Sequence, residues 1–376
     1  MRPKHGGILA LACLGTWLVS GRALADESAD ASVVDEVLGI LKERGIVDES
    51  EYARLATRNA SYEAKQEEGF LSRIDWSGDL RLRYESFWFD DDKVEDKDNR
   101  FRVNLFMARG TISVAARLIT SNILPFEGLH LPAIMSDISM QPQGLVLLCG
   151  VTGSGKSTTI ASMLDYVNER KKVHILTIED PIEYIFEDKK ATINQREIGI
   201  DCLDFKIALR ALVRENPDIV LVGEMRDQET FEAALHAAET GHLVFGTIHA
   251  SSTTQTFSRI YGLFEQEEVE QVRRILGYQM RAFVYQKLLP TLHEKIHRIP
   301  AVEILINNGV VRKMVLEGRE GELREYLKSI EARQTGMIDF NQALVDLVEA
   351  EMIHLRVAME ATPNADELQM RLKKLA

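Results

Sequence analysis

The stretch Gly150-Val-Thr-Gly-Ser-Gly-Lys-Ser-Thr158 decides the fold of this chain. It satisfies the pattern G-x-x-x-x-G-K-[ST] and lies between an apolar run, 145–149, and a helical pattern, 156–169. Glycines in such a loop let backbone N–H groups turn toward phosphate, and the start of the following helix adds the positive end of its dipole. The stretch therefore predicts a strand, a phosphate-binding loop and a helix.

The side chains of this loop indicate which ligand it takes. Lys156 is expected to reach the β- and γ-phosphates of a nucleotide, and the Ser157 hydroxyl is expected to bind Mg²⁺. ATP and Mg²⁺ are therefore the predicted cofactors. The predicted nucleotide-binding residues are Gly150, Thr152, Gly153, Ser154, Gly155, Lys156, Ser157 and Thr158.

Outward from the loop, apolar runs alternate with helical patterns. The runs are 145–149, 173–178, 219–223 and 243–248, and the helical stretches are 156–169, 204–215 and 229–240. Continuous apolar strands joined by helices indicate a parallel sheet that is covered on both faces. Ligands of such sheets bind at the carboxyl ends of the strands.

Polar residues follow these predicted strands. Glu224 comes after 219–223, where P-loop enzymes hold the metal, and it is the predicted metal-binding acid together with Ser157. Three carboxylates in Glu179-Asp-Pro-Ile-Glu183 follow 173–178, and hydrolysis needs one base to orient water. Spacing alone does not choose among them. His249 follows 243–248 and places an imidazole beside the same predicted site.

The first hundred residues have a different character. Residues 1–25 have a basic start, an apolar stretch and an Ala-Leu-Ala end, which predicts a signal peptide. Two short helices are predicted within 33–66, and 76–88 alternates apolar and charged residues as an outer-membrane strand does. This opening resembles the start of bacterial putative porins.

Charge and cysteine content exclude further classes. The net charge of −13 argues against a nucleic-acid partner, and most of it comes from 26–98, which holds 21 acidic and 10 basic residues. The three cysteines form no C-x-x-C pair, so no zinc site is expected.

Five motifs together resemble one family. "GVTGSGKST", "ILTIEDPIEY", "NQREIG", "LVGEMRD" and "AAETGHLVFGTIHA" have the order and spacing of type IV pilus retraction ATPases, the PilT/PilU group of the secretion-ATPase superfamily. The resemblance runs from about residue 100 to the end. It implies an α/β fold with a RecA-like P-loop ATPase core and a helical C-terminal region, preceded by the signal peptide, the two short helices and a β-hairpin-like remnant.

The resemblance also implies roles for particular residues. Glu183 is similar in position to the catalytic base, and Glu224 to the Walker B acid. His242 and His249 resemble the histidine pair that senses the nucleotide. Arg102 and Arg117 resemble arginines that reach toward the phosphates from the N-terminal domain. Lys156 completes the predicted catalytic set.

The resulting domain prediction has five parts. They are a signal peptide at 1–25, a porin-like segment at 26–98, a truncated N-terminal domain of the ATPase at 99–140, the RecA-like core at 141–290 and a helical region at 291–376. The family implies a mechanochemical homo-hexamer that acts in twitching motility, in the cytoplasm at the inner-membrane base of the pilus, with a pilus platform protein as partner.

Alternative interpretations remain at this stage. The signal peptide predicts export, which conflicts with a cytoplasmic ATPase, so an exported porin-like structural protein or an inactive chimeric gene product is the alternative. A joint near 99–102 is predicted, because "RFRVNLF" fits both a porin strand and an ATPase strand. A small-molecule kinase is a third reading, disfavoured by the acidic and histidine motifs.

Overall fold

The computed structural model describes residues 78–80, 100–108 and 111–373, with side chains from Ile119 onward apart from Val213. The chain divides into two compact units, residues 1–120 and 121–376. The predicted signal peptide, the two short helices and most of the porin-like strand lie outside the described residues. No helix among the described residues is both long and apolar enough to span a membrane.

The described part of the first unit is a three-stranded sheet. Its strands are β1 (Gly78–Leu80), β2 (Arg100–Ala108) and β3 (Thr111–Ile119), in the order β1-β2-β3. Both pairings are antiparallel. The "RFRVNLF" segment is therefore a strand, and Arg102 is paired in register with Arg117 on β3.

The second unit is built on a seven-stranded sheet. Its strands are β4 (Gly144–Cys149), β5 (His174–Glu179), β6 (Thr192–Glu197), β7 (Ile219–Val222), β8 (Leu243–Ile248), β9 (Met280–Pro290) and β10 (Arg298–Ile306). The order is β10-β9-β4-β8-β7-β5-β6, and every neighbouring pair is parallel except β9 with β10. The predicted α/β fold with a parallel core is confirmed.

Helices cover both faces of this sheet. They are α1 (Ile134–Ser139), α2 (Lys156–Asn168), α3 (Phe205–Glu215), α4 (Gln228–Glu239), α5 (Thr253–Tyr261), α6 (Val269–Gln279), α7 (Gly309–Leu316), α8 (Leu323–Leu327), α9 (Ile330–Gln334), α10 (Phe340–Glu349), α11 (Leu355–Ala361) and α12 (Ala365–Lys373), with a 3₁₀ turn at Glu320–Glu322. Crossover helices of this kind are what parallel strands require.

Strand β4 shows how the two faces are filled. All six of its residues are buried. Leu145 and Leu147 pack into one apolar cluster with α3 to α6 and the C-terminal helices, whereas Val146 and Leu148 pack into the other with α1 and α2. Successive side chains of a strand point to opposite faces, so a strand buried on both faces reads as an unbroken apolar run.

The C-terminal region departs from the prediction. The range 291–376 was expected to be helical, but β10 lies inside it and pairs antiparallel with β9, with Val302 opposite Gln286. The expectation was wrong for these nine residues. Arg298-Ile-Pro-Ala-Val-Glu-Ile-Leu-Ile306 is rich in β-branched residues and extends the sheet, which a helix could not do. Helices resume at Gly309.

Candidate nucleotide site

The glycine-rich loop joins β4 to α2 at the carboxyl edge of the sheet. Gly150, Gly153 and Gly155 all have positive φ, of 150°, 77° and 87°. L-residues with a Cβ rarely adopt such angles, so the loop needs glycine at these positions. A Cβ on Gly153 would meet nothing within 4 Å, so the turn leaves open space at that point.

Helix α2 begins in a way that favours an anion. Its N-cap residue is Gly155, in a left-handed conformation and without a side-chain cap. Helices α3, α4 and α5 instead have the N-cap residues Asp204, Asp227 and Ser252, whose side chains accept hydrogen bonds from backbone amides of the first turn. The first amides of α2 therefore lack the side-chain partner that the other three helices have, and phosphate oxygens are suited to take its place.

Lys156 lies inside the loop. Its ammonium donates to the carbonyl oxygens of Gly150 at 2.9 Å and Val151 at 3.0 Å. Burial lowers the pKa of Lys156, although the negative charge of Glu224 opposes that shift. The side chain is 9% exposed, so its charge acts in an environment where water screens it weakly.

Gln286 supports the loop from β9, and no sequence motif points to this residue. Its side-chain amide donates to the Ser154 carbonyl at 2.8 Å and accepts from the Thr159 hydroxyl at 2.8 Å. A Cβ on Gly155 would lie 2.7 Å from this amide nitrogen, and one on Gly150 would lie 2.5 Å from the Gln286 carbonyl. Two of the loop glycines are thus required by the close approach of one residue 131 or more positions away.

Glu224 and His249 meet beside the loop. The imidazole Nε2 of His249 is 2.8 Å from a Glu224 carboxylate oxygen, and its Nδ1 is 3.1 Å from the Gly150 carbonyl. Burial disfavours the Glu224 carboxylate, but the hydrogen bond from Arg226 and the electrostatic effect of the neighbouring Arg226, His249 and Lys156 side chains outweigh it and lower its pKa. The carboxylate therefore stays ionised at neutral pH.

The acidic cluster that follows β5 separates into unlike environments. The Glu179 carboxyl is 8% exposed, and burial raises its pKa. It accepts a hydrogen bond from the Gln195 amide at 3.4 Å and one from the Glu183 backbone N–H. Glu179 thereby holds the turn that carries Glu183. Glu183 is half-buried, and Asp180 is exposed.

A pocket connects these elements. Its lining includes Ser157, Glu179, Tyr184, Gly223 and Thr247, from the helix start and from the ends of β5, β7 and β8. The Tyr184 hydroxyl is 2.7 Å from the Thr158 hydroxyl, so the acidic segment is tied to the phosphate loop. The predicted residues Ser157 and Thr158 therefore lie where the predicted strand ends converge.

The predicted site residue His242 lies away from the phosphate loop. His242 precedes β8 at the opposite edge of the sheet, where its Nδ1 contacts the Ala237 carbonyl at 2.9 Å and the Thr240 hydroxyl at 3.2 Å. Arg102 and Arg117 lie on the sheet of the first unit. The phosphate-sensing roles of these residues stay predictions.

The loop offers groups that fit a nucleotide. The buried Ser154 hydroxyl has no hydrogen-bond partner, the start of α2 has no side-chain cap, and Lys156 lies at that start. These groups fit a polyphosphate. Ser157 and Glu224 offer hydroxyl and carboxylate oxygens, which suit Mg²⁺. Within the described part of the chain no group of three or more His, Cys, Asp and Glu residues is placed to hold a metal ion. Mg²⁺ typically takes few protein ligands beside phosphate and water.

Comparison with known proteins identifies this arrangement. The family model "Type II/IV secretion system protein" matches residues 93–349. The chain belongs to that family. A "Twitching motility protein" of Neisseria gonorrhoeae is 43% identical over 269 residues, which are 72% of this chain and 71% of the relative. The "Type IV pilus retractation ATPase PilT" of Pseudomonas aeruginosa is 42% identical over 261 residues, 69% of this chain and 75% of the relative.

Solved structures agree with the family. The "Pilus Retraction Motor PilT and Bound ADP" superposes with a TM-score of 0.69 at 40% identity, covering 84% of this chain and 86% of that one. The ATPase DotB of Legionella pneumophila gives 0.65 at 28% identity, covering 81% of this chain and 82% of that one. The chain is therefore an ATPase of this family, and the predicted RecA-like architecture and nucleotide binding are confirmed.

Proposed function

We propose that this chain hydrolyses ATP with Mg²⁺ to drive retraction of a type IV pilus, as its similar relatives are named for doing. The observation that carries the proposal is the junction of Lys156, Glu224 and His249 around one glycine-rich loop. A loop that only binds nucleotide needs the lysine alone. An ionised carboxylate and an imidazole at the same point add groups that respond to the state of the γ-phosphate.

Different residues of this site bind the phosphates and the metal ion. Lys156 and the amides at the start of α2 bind the phosphates, and Ser157 and Glu224 would hold Mg²⁺. Bound Mg²⁺ supplies neutralisation of charge on the β- and γ-phosphate oxygens. His249 contacts both the Gly150 carbonyl of the loop and the Glu224 carboxylate. A movement of the loop is therefore transmitted through the imidazole to Glu224, and a movement of Glu224 to the loop.

Glu183 is the base in this proposal. A base must be ionised and must contact water, and burial, which raises the pKa of Glu179, disfavours its ionised form. The Glu179 carboxyl accepts a hydrogen bond from the backbone of Glu183, which lies four residues further along the chain and is half-buried. This supports Glu183 as the group that orients the attacking water and Glu179 as its anchor.

The motor is proposed to work as a homo-hexamer in the cytoplasm, at the inner-membrane base of the pilus, against a platform protein. His242, at the far edge of the sheet, and the arginine pair Arg102 and Arg117, in the other unit, are proposed to sense nucleotide at contacts that the ring creates. The family membership and the likeness to a retraction motor support this assembly.

Two measurements test the proposal. Purified full-length protein should hydrolyse ATP with Mg²⁺, and the gene should restore twitching to a bacterium that lacks its retraction ATPase. Absence of hydrolysis would overturn the enzymatic part. Hydrolysis without restored twitching, at normal protein level, would overturn the assignment to pilus retraction while leaving the ATPase intact.

A further inference from the structure

Glu303 is a buried carboxyl outside the parallel core. It lies on β10, the antiparallel strand at the edge of the sheet, and is 7% exposed. One of its oxygens accepts from the Thr253 backbone N–H at 2.8 Å and from the Thr253 hydroxyl at 2.6 Å. Thr253 is the first residue of α5, so Glu303 holds the start of that helix from a strand 50 residues away.

The start of α5 is one end of a short connection that carries His249. The connection runs from the end of β8 to the N-cap Ser252. At its first residue, His249 makes the contacts with the Gly150 carbonyl and the Glu224 carboxylate. Strand β8 fixes one end through its pairing with β4 and β7, and Glu303 fixes the other. A helix start that could shift would carry the imidazole with it.

The carboxyl is not explained by stabilisation alone. Burial raises the pKa of Glu303 against the effect of its Thr253 hydrogen bonds, with smaller opposing influences from Asp339 and Arg324. It forms no ion pair among the residues that the structure describes. Burying such a group costs free energy unless its bonds repay it, and its two bonds go to the segment that follows His249.

We propose that Glu303 is a positioning residue for the nucleotide site. By fixing the first turn of α5 it holds the His249 imidazole against Gly150 and Glu224. The β9–β10 hairpin, which lies outside the parallel core, thus sets the geometry of the nucleotide site at the carboxyl ends of the strands. The same hairpin carries Gln286, which holds the phosphate loop. This inference rests on the proposed function only for the role of His249.

Steady-state ATP hydrolysis tests whether Glu303 affects catalysis. Glu303→Ala in the full-length protein should lower kcat roughly tenfold and change KM for ATP by less than about twofold, because misplacing a reacting group acts on the chemical step. Glu303→Gln keeps the accepting oxygen and should restore kcat. In a His249→Ala background, Glu303→Ala should cause no further loss, because the group that it positions is gone.

Two kinetic outcomes would contradict a positioning role for Glu303. An equal loss of kcat in both backgrounds, or a Glu303→Gln protein as impaired as Glu303→Ala, would overturn the proposal. If Glu303→Ala fails to fold, Thr253→Val replaces it, because this change removes the hydroxyl donor and keeps the backbone one. It should lower kcat in the same direction by a smaller factor, and an unchanged kcat would count against the proposal.

A second readout does not depend on turnover. In protein labelled with ¹⁵N-histidine, the ring nitrogen signals of His249, assigned with His249→Gln, should shift in Glu303→Ala and return toward their positions in Glu303→Gln. The control is Asn341→Ala, which removes the half-buried hydrogen bond that the Asn341 side chain accepts from the Thr362 hydroxyl at 2.6 Å in the C-terminal region. It should leave those signals in place. Unmoved His249 signals in Glu303→Ala would overturn the proposal, whereas an inactive wild-type protein would overturn only the proposed function.

Discussion

The two ends of strand β8 compare two histidines of one motif. His249, at the carboxyl end, contacts the phosphate loop and Glu224 across the sheet, from residues 99 and 25 positions away. The imidazole of His242, at the amino end, has its hydrogen-bond contacts with Ala237 and Thr240, which are near neighbours in sequence. A histidine at the carboxyl end of β8 thus joins the candidate site, whereas a histidine at the amino end of the same strand caps a local turn. Topology, rather than residue type, separates the two.

The largest expected difference between the edges concerns two lysines. Lys156 donates to carbonyls at the carboxyl edge, and Lys171 donates to the Met140 carbonyl at 3.0 Å at the amino edge. Lys156→Ala should abolish hydrolysis and weaken ATP binding at least tenfold, because it removes the charge that meets the β- and γ-phosphates. Isothermal titration and a phosphate-release assay measure both effects.

Lys171→Ala is the matched control, since it also removes a lysine-to-carbonyl bond. It should retain hydrolysis within about twofold, because its contact lies away from the phosphate loop and a hydrogen bond from a charged group contributes only about 1.5–3 kcal/mol to stability. Nucleotide affinity unchanged by Lys156→Ala would contradict the assignment of the phosphate loop.

The acidic cluster gives the next largest effect. Glu183→Gln should keep ATP affinity and lower kcat by about 10²- to 10⁴-fold, the usual contribution of a general base. Glu179→Gln should cost less, because an amide at that position still accepts from the Glu183 N–H and its ionised form is already disfavoured. Single-turnover kinetics with both variants separates the chemical step from binding. A greater loss in Glu179→Gln would transfer the role of base to that residue.

The two histidines give a direct test of the comparison. His249→Ala should lower kcat roughly tenfold, because its contacts with Gly150 and Glu224 are lost together. His242→Ala should change the rate of ATP hydrolysis by dilute, unassembled protein by less than about twofold, since the side-chain contacts that it removes are with near neighbours in sequence. Size-exclusion chromatography establishes that the assay contains single chains. Equal losses under those conditions would show that the edge of the sheet does not decide which histidine acts.

The sequence predicted the carboxyl edge well for a physical reason. In a parallel sheet all strand ends meet at one edge, so residues that follow apolar runs, such as Lys156, Glu224 and His249, were predicted to converge without any tertiary information. The loop glycines and the helix start were equally readable, because their geometry depends on nearby residues.

The contacts that the sequence did not predict are long-range. Gln286 and Glu303 lie on an antiparallel hairpin whose strands carry no sequence motif, and their partners are about 50 to 130 residues away. The histidine motif could not show that its two members are separated by the full length of β8, roughly 20 Å at the usual rise of a strand. Periodicity gives the direction of a side chain, but register and crossing order decide what it meets.

The smallest expected effect compares Gln286, within β9, with Asn307, which contacts the start of that strand. Gln286 holds the phosphate loop at one end, whereas Asn307 donates to the Gly277 carbonyl at 3.0 Å and to the Met280 carbonyl at 2.8 Å at the other. Gln286→Leu and Asn307→Leu should each destabilise the protein by about 1–3 kcal/mol, because each removes a hydrogen-bond donor from a backbone carbonyl, that of Ser154 or that of Gly277. Thermal or denaturant unfolding measures that loss. Only Gln286→Leu should also raise KM for ATP, by several-fold, since only Gln286 contacts Ser154 and Thr159 of the nucleotide site. If both variants raise KM equally, general loosening of β9 would account for the effect, and the phosphate loop would not need Gln286 for its shape.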